Sequence, residues 1–298
     1  MNQLEQLTAI LAREGAEALG WEHGRPGGPA IRALLRAAAR RVAREFVDTD
    51  GVFASRTLPD AARWTLDHFS ANLEVAGLDR VPRNGPILVV ANHPGLTDAV
   101  ALVAALDRPD VRIVAADYPF LQALRGLAPR LIFLRASGSA QLGWIRAVGR
   151  DLRQGGVVLL FPAGRLEPDA ALLGARGALL PWSSSVGLIR RLAPLARIVP
   201  AAVTGVLSPR AFAHPLTRIR RQPRDRQRVA TLLQMIDPCF REVTARIAFG
   251  PPLSASELDV SDGAAIVARL AEHMRMLLTD PYNEGPAPET GAGRVVLA

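Results

Sequence analysis

The residues best placed to do chemistry are a histidine and an aspartate five positions apart, His93 and Asp98, in the stretch PILVVANHPGLTD that runs from Pro86 to Asp98. On an uninterrupted helix, residues at that spacing are turned about 140° from each other, and on a strand they face opposite sides. The Pro94-Gly95 step between them changes the geometry. Proline has no N–H to continue a strand and glycine lets the chain turn sharply, so the apolar run Ile87–Ala91 is expected to end there. Thr97 or Asp98 then starts a helix that Ala99, Val100, Ala101 and Leu102 continue, with the acid favoured at the positive end. His93 is thereby expected at the carboxyl edge of a buried strand, within reach of Asp98. The chemistry of such a pair is general-base catalysis: a neutral imidazole takes a proton from a hydroxyl while the carboxylate fixes the tautomer and stabilises the imidazolium. No serine or cysteine nucleophile is required when the attacking hydroxyl belongs to the substrate. The same two residues also admit a plain reading, a histidine at a strand end and an aspartate capping a helix.

The remaining titratable residues offer less. His23, His68, His214 and His273 show no metal-ligand spacing, and Cys239 is the single cysteine, so neither a metal centre nor an internal disulfide is expected. WSSSVG, from Trp182 to Gly187, reads as a helix start with a serine cap. It lacks the glycine two residues either side of a serine that a nucleophile elbow needs.

The elements that must position the pair follow from the hydrophobic pattern. Residues 1–75 read as helical: Ile31, Leu34, Leu35, Ala38, Val42 and Phe46 form one stripe opposite arginines, and a second helix carries Trp64, Leu66 and Phe69. From residue 80 the texture changes. Short β-branched runs at Ile87–Ala91, Val111–Ala115, Leu131–Leu134, Val157–Phe161, Ile198–Thr204 and Val243–Phe249 alternate with amphipathic stretches at Asp98–Leu106, Ala140–Arg153 and Ser184–Leu192. That alternation predicts an α/β fold, a mixed, largely parallel sheet flanked by helices and preceded by an N-terminal helical segment. A last helix places Ile266, Leu270, Met274 and Leu277 at helical spacing. The domain expectation is a helical segment over 1–75, an α/β domain over 76–280 and a Pro/Gly-rich, flexible tail over 281–298.

All 36 basic residues are arginines, and against 28 acids they leave a net charge of +8. Such an excess favours acidic partners: anionic headgroups, phosphorylated metabolites or nucleic acid. Six of the arginines sit in TRIRRQPRDRQR, Thr217 to Arg228, with Asp225 as the one acid. This run reads either as a solvated surface loop or as an adhesive for anionic lipid, with Phe212, Leu216 and Ile219 as apolar neighbours. No binding motif or interleaved aromatic platform accompanies it, so nucleic acid is not the expected partner. The amino-terminal sequence lacks the basic start and apolar core of a signal peptide. The longest apolar stretch, Ile87–Leu106, is broken by His93, Pro94, Gly95 and Asp98, so no membrane span is expected. A cytoplasmic protein, peripheral on the inner face of the cell membrane, fits this pattern.

Four blocks in order give the pair its context. Asn92-His93-Pro94-Gly95-Leu96-Thr97-Asp98 after an apolar strand resembles the first motif of the glycerolipid acyltransferases, the lysophosphatidate-acyltransferase-like superfamily. LIFLRASG, with Arg135, resembles the second block; VVLLFPAGRLEP, with Phe161, Pro162, Ala163 and Gly164, resembles the third; RIVPAAVTGV, with Pro200, resembles the fourth. Together they span about residues 80–250. The resemblance implies a glycerol-3-phosphate acyltransferase-like fold and an O-acyltransferase of the 1-acylglycerol-3-phosphate type, serving phospholipid and lipid metabolism. It implies acyl-CoA or acyl-carrier-protein as donor substrate, a glycerolipid or lyso-lipid hydroxyl as acceptor, no cofactor and no metal. His93 and Asp98 are then catalytic, and Arg135, Phe161, Pro162, Gly164 and Arg165 line the substrate site.

Each of these residues also has a physical reading. Arg135 at a strand end is either one half of a structural ion pair or a phosphate clamp. Gly164 permits positive φ, and its N–H or a neighbour's is a candidate oxyanion donor, while Phe161 and Pro162 favour packing and turn geometry. The third block departs from the family pattern Phe-Pro-Glu-Gly-Thr-Arg, because Ala163 replaces the glutamate and Arg165 follows Gly164 directly. In the family that glutamate and arginine help hold a phosphorylated acceptor. Glu167 is a candidate to supply the missing acid; the alternative is a non-catalytic lipid-binding protein of the same fold with a degraded acceptor site.

Overall fold

A computed structural model of the chain describes residues 2–21, 26–69, 72–95, 97–134, 140–253, 263–279 and 295–297. Its strands are β1 (Asn72–Ala76), β2 (Ile87–Ala91), β3 (Val111–Ala116), β4 (Leu131–Leu134), β5 (Val157–Leu160), β6 (Arg197–Thr204), β7 (Thr244–Phe249) and β8 (Val295–Leu297). Its helices are α1 (Gln3–Ala18), α2 (Gly28–Ser55), α3 (Leu58–Phe69), α4 (Asp98–Leu106), α5 (Pro119–Ala123), α6 (Ala140–Arg153), α7 (Ala170–Leu173), α8 (Ser185–Leu192), α9 (Pro209–Ala213), α10 (Pro223–Ile236) and α11 (Gly263–Thr279).

The eight strands form one sheet in the order β4-β3-β5-β2-β6-β7-β1-β8. Neighbours pair in parallel except β6 with β7 and β1 with β8, which are antiparallel. The fold is therefore the mixed, largely parallel α/β sheet flanked by helices that the alternating pattern predicts. β2 and β5 are buried at every position, as strands covered on both faces by crossover helices must be. β2 lies centrally, between β5 and β6. On one face Leu88, Val90, Val158 and Leu160 meet Ile145, Val148, Leu152, Val186, Ile189, Leu270 and Met274 from α6, α8 and α11. The buried stripe of α11 ends on Leu278 rather than Leu277.

The chain divides into two compact units. One holds the sheet and comprises residues 58–117, 130–206 and 244–298, so α3 counts with the sheet. The other comprises 1–57, 118–129 and 207–243, an N-terminal helical segment joined by two later stretches. Its core gathers Leu7, Ile10 and Leu11 of α1 with Ala39, Val42 and Ala43 of α2 and with Ala123 and Leu124. Leu34, expected on that stripe, is 77% exposed, because the inward face of α2 runs through positions 39, 42 and 43 instead. Buried Asp50 clips this unit: it accepts from the backbone N–H groups of Gly126 (2.8 Å) and Leu127 (3.0 Å) and from the Gln3 amide (2.7 Å).

The arginine run is ordered structure and not a loop. A 3₁₀ turn covers Pro215–Ile219, and α10 begins at Pro223, where a proline's fixed φ and missing N–H suit a first helical turn. Arg220 pairs with Asp225 at 2.9 Å, Arg226 lies over the Phe212 ring at 4.6 Å, and Gln227 is buried. Of the expected flexible tail, residues 281–294 lie outside the described residues, whereas Val295–Leu297 pairs with β1.

Candidate active site

The pair stands at the carboxyl end of β2, the edge at which open parallel sheets place their ligands. Three devices bring it there. The first is Asn92, fully buried one residue past the strand. Its side-chain Nδ2 donates to the Val203 carbonyl at 2.8 Å and its Oδ1 accepts from the Val203 N–H at 2.7 Å. The amide thus continues the β2–β6 pairing after Ala91, which frees the backbone at His93 to leave the sheet.

The second device is the Pro94-Gly95 break. Gly95 does not adopt positive φ; what it needs is space, since a Cβ there would sit 2.9 Å from Cγ2 of Val206. Its N–H donates at 3.0 Å to Oδ2 of Asp98. Asp98 opens α4 behind Thr97, and its Oδ1 accepts from the Ala99 N–H at 2.6 Å. Oδ2 also faces Nδ1 of His93 at 2.7 Å. Asp98 is fully buried, whereas the His93 side chain keeps 28% of its surface open. An Asp98 that accepts from Nδ1–H leaves Nε2 as the free, basic nitrogen.

The third device is Glu167. This fully buried carboxylate accepts from the His93 backbone N–H (3.0 Å), the Leu180 N–H (2.8 Å) and the Trp182 indole N–H (3.1 Å). Its own N–H donates to the His93 carbonyl at 2.7 Å. The loop after β5 is therefore fastened to the loop after β2. The expectation that Glu167 replaces the missing acid at the acceptor is corrected: its oxygens face backbone and indole donors in the interior.

These contacts set the electrostatics of the base. Burial pulls the His93 pKa down, but the charge and hydrogen bond of Asp98, with the charge of Glu167, outweigh it and hold the imidazole above its ordinary value. Burial raises the Glu167 carboxyl, against the Leu180, Trp182 and His93 hydrogen bonds that lower it.

The other anticipated residues fall as follows. Phe161, at the end of β5, stacks on the His93 ring with centroids 4.6 Å apart and planes at 28°. Pro162 is buried, and its carbonyl accepts from the Ser183 N–H at 3.0 Å. Gly164 takes φ +63° in an exposed turn, but its N–H donates to the Phe161 carbonyl at 3.0 Å and is not free for an oxyanion. Arg165 is exposed, in the loop that Glu167 anchors. Arg135 lies outside the described residues. Ala163 is half-buried and packs against the apolar cluster under the sheet. Among the described residues no group of three or more His, Cys, Asp or Glu side chains is arranged to hold a metal ion.

Residues 72–204 match the family model described as acyltransferase. That span carries the base, its acid, both anchoring loops and the strands beneath them. Within the sheet unit, this stretch is what the chain shares with the acyltransferase family.

Two relatives are described as lyso-glycine lipid O-acyltransferases. The one from Phocaeicola vulgatus is 33% identical over 103 residues, 33% of this chain and 36% of that protein. The one from Bacteroides thetaiotaomicron is 31% identical over 101 residues, 33% of this chain and 37% of that protein. The chain thus spans little more than a third of the curated relatives it matches. The crystal structure of the 1-acyl-sn-glycerophosphate (LPA) acyltransferase PlsC from Thermotoga maritima aligns with 83% of this chain and 85% of its own, with a TM-score of 0.51 at 16% identity. That likeness is one of fold.

Proposed function

We propose that this acyltransferase-superfamily protein moves a fatty acyl group from a thioester, acyl-CoA or acyl-carrier-protein, to a hydroxyl of a lyso-lipid or glycerolipid acceptor. The observation that carries the reading is the 2.7 Å contact between Nδ1 of His93 and buried Asp98, at the open edge of a sheet of this family. Nε2 of His93 takes the proton of the acceptor hydroxyl as its oxygen attacks the thioester carbonyl. Collapse of the tetrahedral intermediate breaks the C–S bond, and the imidazolium returns its proton to the leaving thiolate. Asp98 holds the tautomer and stabilises the transient cation. Phe161 supports the ring face, and Arg165, with Arg135, supplies cations for the acceptor headgroup or the donor phosphates.

The acceptor follows from what stands at block three. With Ala163 in place of the family's acid, a lyso-lipid other than lysophosphatidate is favoured, and the two lyso-glycine lipid O-acyltransferase relatives support that direction. The test offers acyl-CoA with a panel of lyso-glycine lipid, lysophosphatidate and lysophosphatidylcholine, and follows acceptor-dependent thiol release and the ester product by mass spectrometry. Ester formed on at least one acceptor is expected. Binding of the lipids without any ester would instead favour a non-catalytic lipid-binding role.

Peripheral association with an anionic membrane, on the cytoplasmic face, belongs to the same reading. None of the described helices is long and apolar enough to cross a bilayer. Leu216 (47% exposed) and Ile219 (51% exposed) lie three residues apart on the 3₁₀ turn, where that spacing puts side chains on one side. Exposed Arg218, Arg221 and Arg224 accompany them. Each basic residue near an anionic surface contributes about 1 kcal/mol. Co-sedimentation with anionic vesicles, weakened by salt and by replacing Leu216 and Ile219 with serine, is expected. Equal binding to zwitterionic vesicles would contradict the charge-based part.

A further inference from the structure

Glu167 is a fully buried carboxylate bonded to the backbone of the base, and the reaction itself does not use it. Three N–H donors converge on its two oxygens: the His93 N–H on Oε2, and the Leu180 N–H and Trp182 indole on Oε1. A carboxylate satisfies all three, whereas an amide has one accepting oxygen and sets its NH₂ against a donor. The backbone bond from Glu167 N–H to the His93 carbonyl completes a clasp that holds both the N–H and the C=O of His93. Phe161, six residues earlier in the same loop, lies under the ring. The imidazole is therefore located by Asp98 at its edge, by Phe161 at its face and by Glu167 at its backbone.

We propose that Glu167 is a positioning residue for acyl transfer, fixing the His93 backbone so that Nε2 meets the acceptor hydroxyl and placing a second negative charge behind the imidazole. The proposal rests on His93 acting as the base. It gives block three of this chain a different use for its acid: four residues beyond Ala163, the carboxylate faces the base's own backbone. Buried without solvent, its charge is weakly screened and acts on the imidazolium through the protein interior. Removing that charge makes protonation of His93 harder, in the direction its electrostatics indicate.

The test compares E167Q, E167D and D169N with the unaltered protein, using acyl-CoA and the best acceptor of the panel. Asp169 is an equally buried acid two residues away, whose Oδ1 accepts from the Ala171 (3.1 Å) and Gly205 (2.9 Å) N–H groups. In E167Q the amide oxygen retains the Leu180 and Trp182 donors, and its NH₂ opposes the His93 N–H. The expected result is a kcat lower by about 10- to 100-fold, as misplacement of a reacting group by about an ångström produces, with KM changed by less than about twofold. The acid limb of the kcat/KM profile moves to lower pH. E167D keeps the charge and shortens the reach, so it loses kcat while the acid limb stays. D169N loses stability and leaves the acid limb in place.

The proposal is overturned if folded E167Q keeps both kcat and its acid limb, or if D169N moves the limb as E167Q does. Should E167Q fail to fold, E167D decides: an undiminished kcat overturns the clasp, and a loss at constant KM upholds it. His93→Ala separates the two levels. Activity that survives it removes the base itself, whereas E167Q leaves the His93–Asp98 pair intact and tests only its support.

Discussion

Replacing Asp98 with asparagine keeps the shape of the side chain and removes its charge. In the unaltered protein Oδ2 serves two donors, Nδ1–H of His93 at 2.7 Å and the Gly95 N–H at 3.0 Å, and Oδ1 serves the Ala99 N–H at 2.6 Å. An asparagine has one accepting oxygen for these three. If it stays with Gly95, its NH₂ faces Ala99; if it stays with Ala99, its NH₂ faces Gly95 and the imidazole, which then accepts at Nδ1 and carries its proton on Nε2. In that tautomer the base is absent. Even where the working tautomer persists, the imidazolium formed in the transition state loses a hydrogen bond to a charged group, worth about 1.5–3 kcal/mol. At about 1.4 kcal/mol per decade this lowers kcat by about 10- to 150-fold, and the tautomer switch adds to it. The assay is thiol release from acyl-CoA with acceptor present, at saturating substrate, beside a circular-dichroism melt to confirm folding. The acid limb of kcat/KM also moves to lower pH, because Asp98 is what holds His93 above its ordinary value. A folded D98N variant with kcat within threefold of the parent would refute the reasoning.

Further perturbations separate the parts of the site. Activity requires neutral His93, so it falls as pH drops through a value above the ordinary histidine pKa of about 6.5, read from the pH–rate profile. The stability due to the imidazolium–carboxylate pair runs the other way: a raised folded pKa makes it complete below about 6.5 and removes it as pH rises through the folded value, and the difference in melting temperature between the parent and H93A follows that course. Gly95→Ala drives a methyl group into Val206 and costs about 1–3 kcal/mol by chemical denaturation, with partial recovery in the G95A/V206A double variant. Ala163→Glu puts a carboxyl against an apolar cluster; it lowers stability by about 1–3 kcal/mol and creates no lysophosphatidate activity.

The sequence made the centre of the sheet and the pair legible, for a physical reason. Ile87–Ala91 is continuously apolar because β2 is buried on both faces, and Pro94-Gly95 marks the place where a strand must stop. β1 overturns the helical reading of residues 72–75: NLEVA is short and only Leu73 and Val75 turn inward, yet it pairs with β7 as a strand. The helix α10 was hidden among arginines because its inward face includes Gln227 and Gln234 beside Val229 and Ala230, which blurs the apolar period. Nor does the local pattern reveal that β7 enters antiparallel to β6, because pairing direction is settled by the path of the chain between them. At the site, the reach from His93 to Asp98 could be argued from a turn of five residues. The clasps of Asn92 on Val203 and of Glu167 on His93 join residues 111 and 74 positions apart, and no spacing rule announces them. The closest signal was Glu167 itself, an acid just past a glycine turn, and its inward direction needed the fold to be seen.

The central claim is that His93 is the base for acyl transfer from a thioester to a lipid hydroxyl. It is tested most directly by acyl-ester formation from acyl-CoA and the preferred lyso-lipid, measured in the parent protein and in folded His93→Ala. The account predicts acceptor-dependent ester in the parent and a loss of about 100-fold or more in the variant, the lower range of a general base's contribution. Ester formed at the parent's rate by the variant would contradict it.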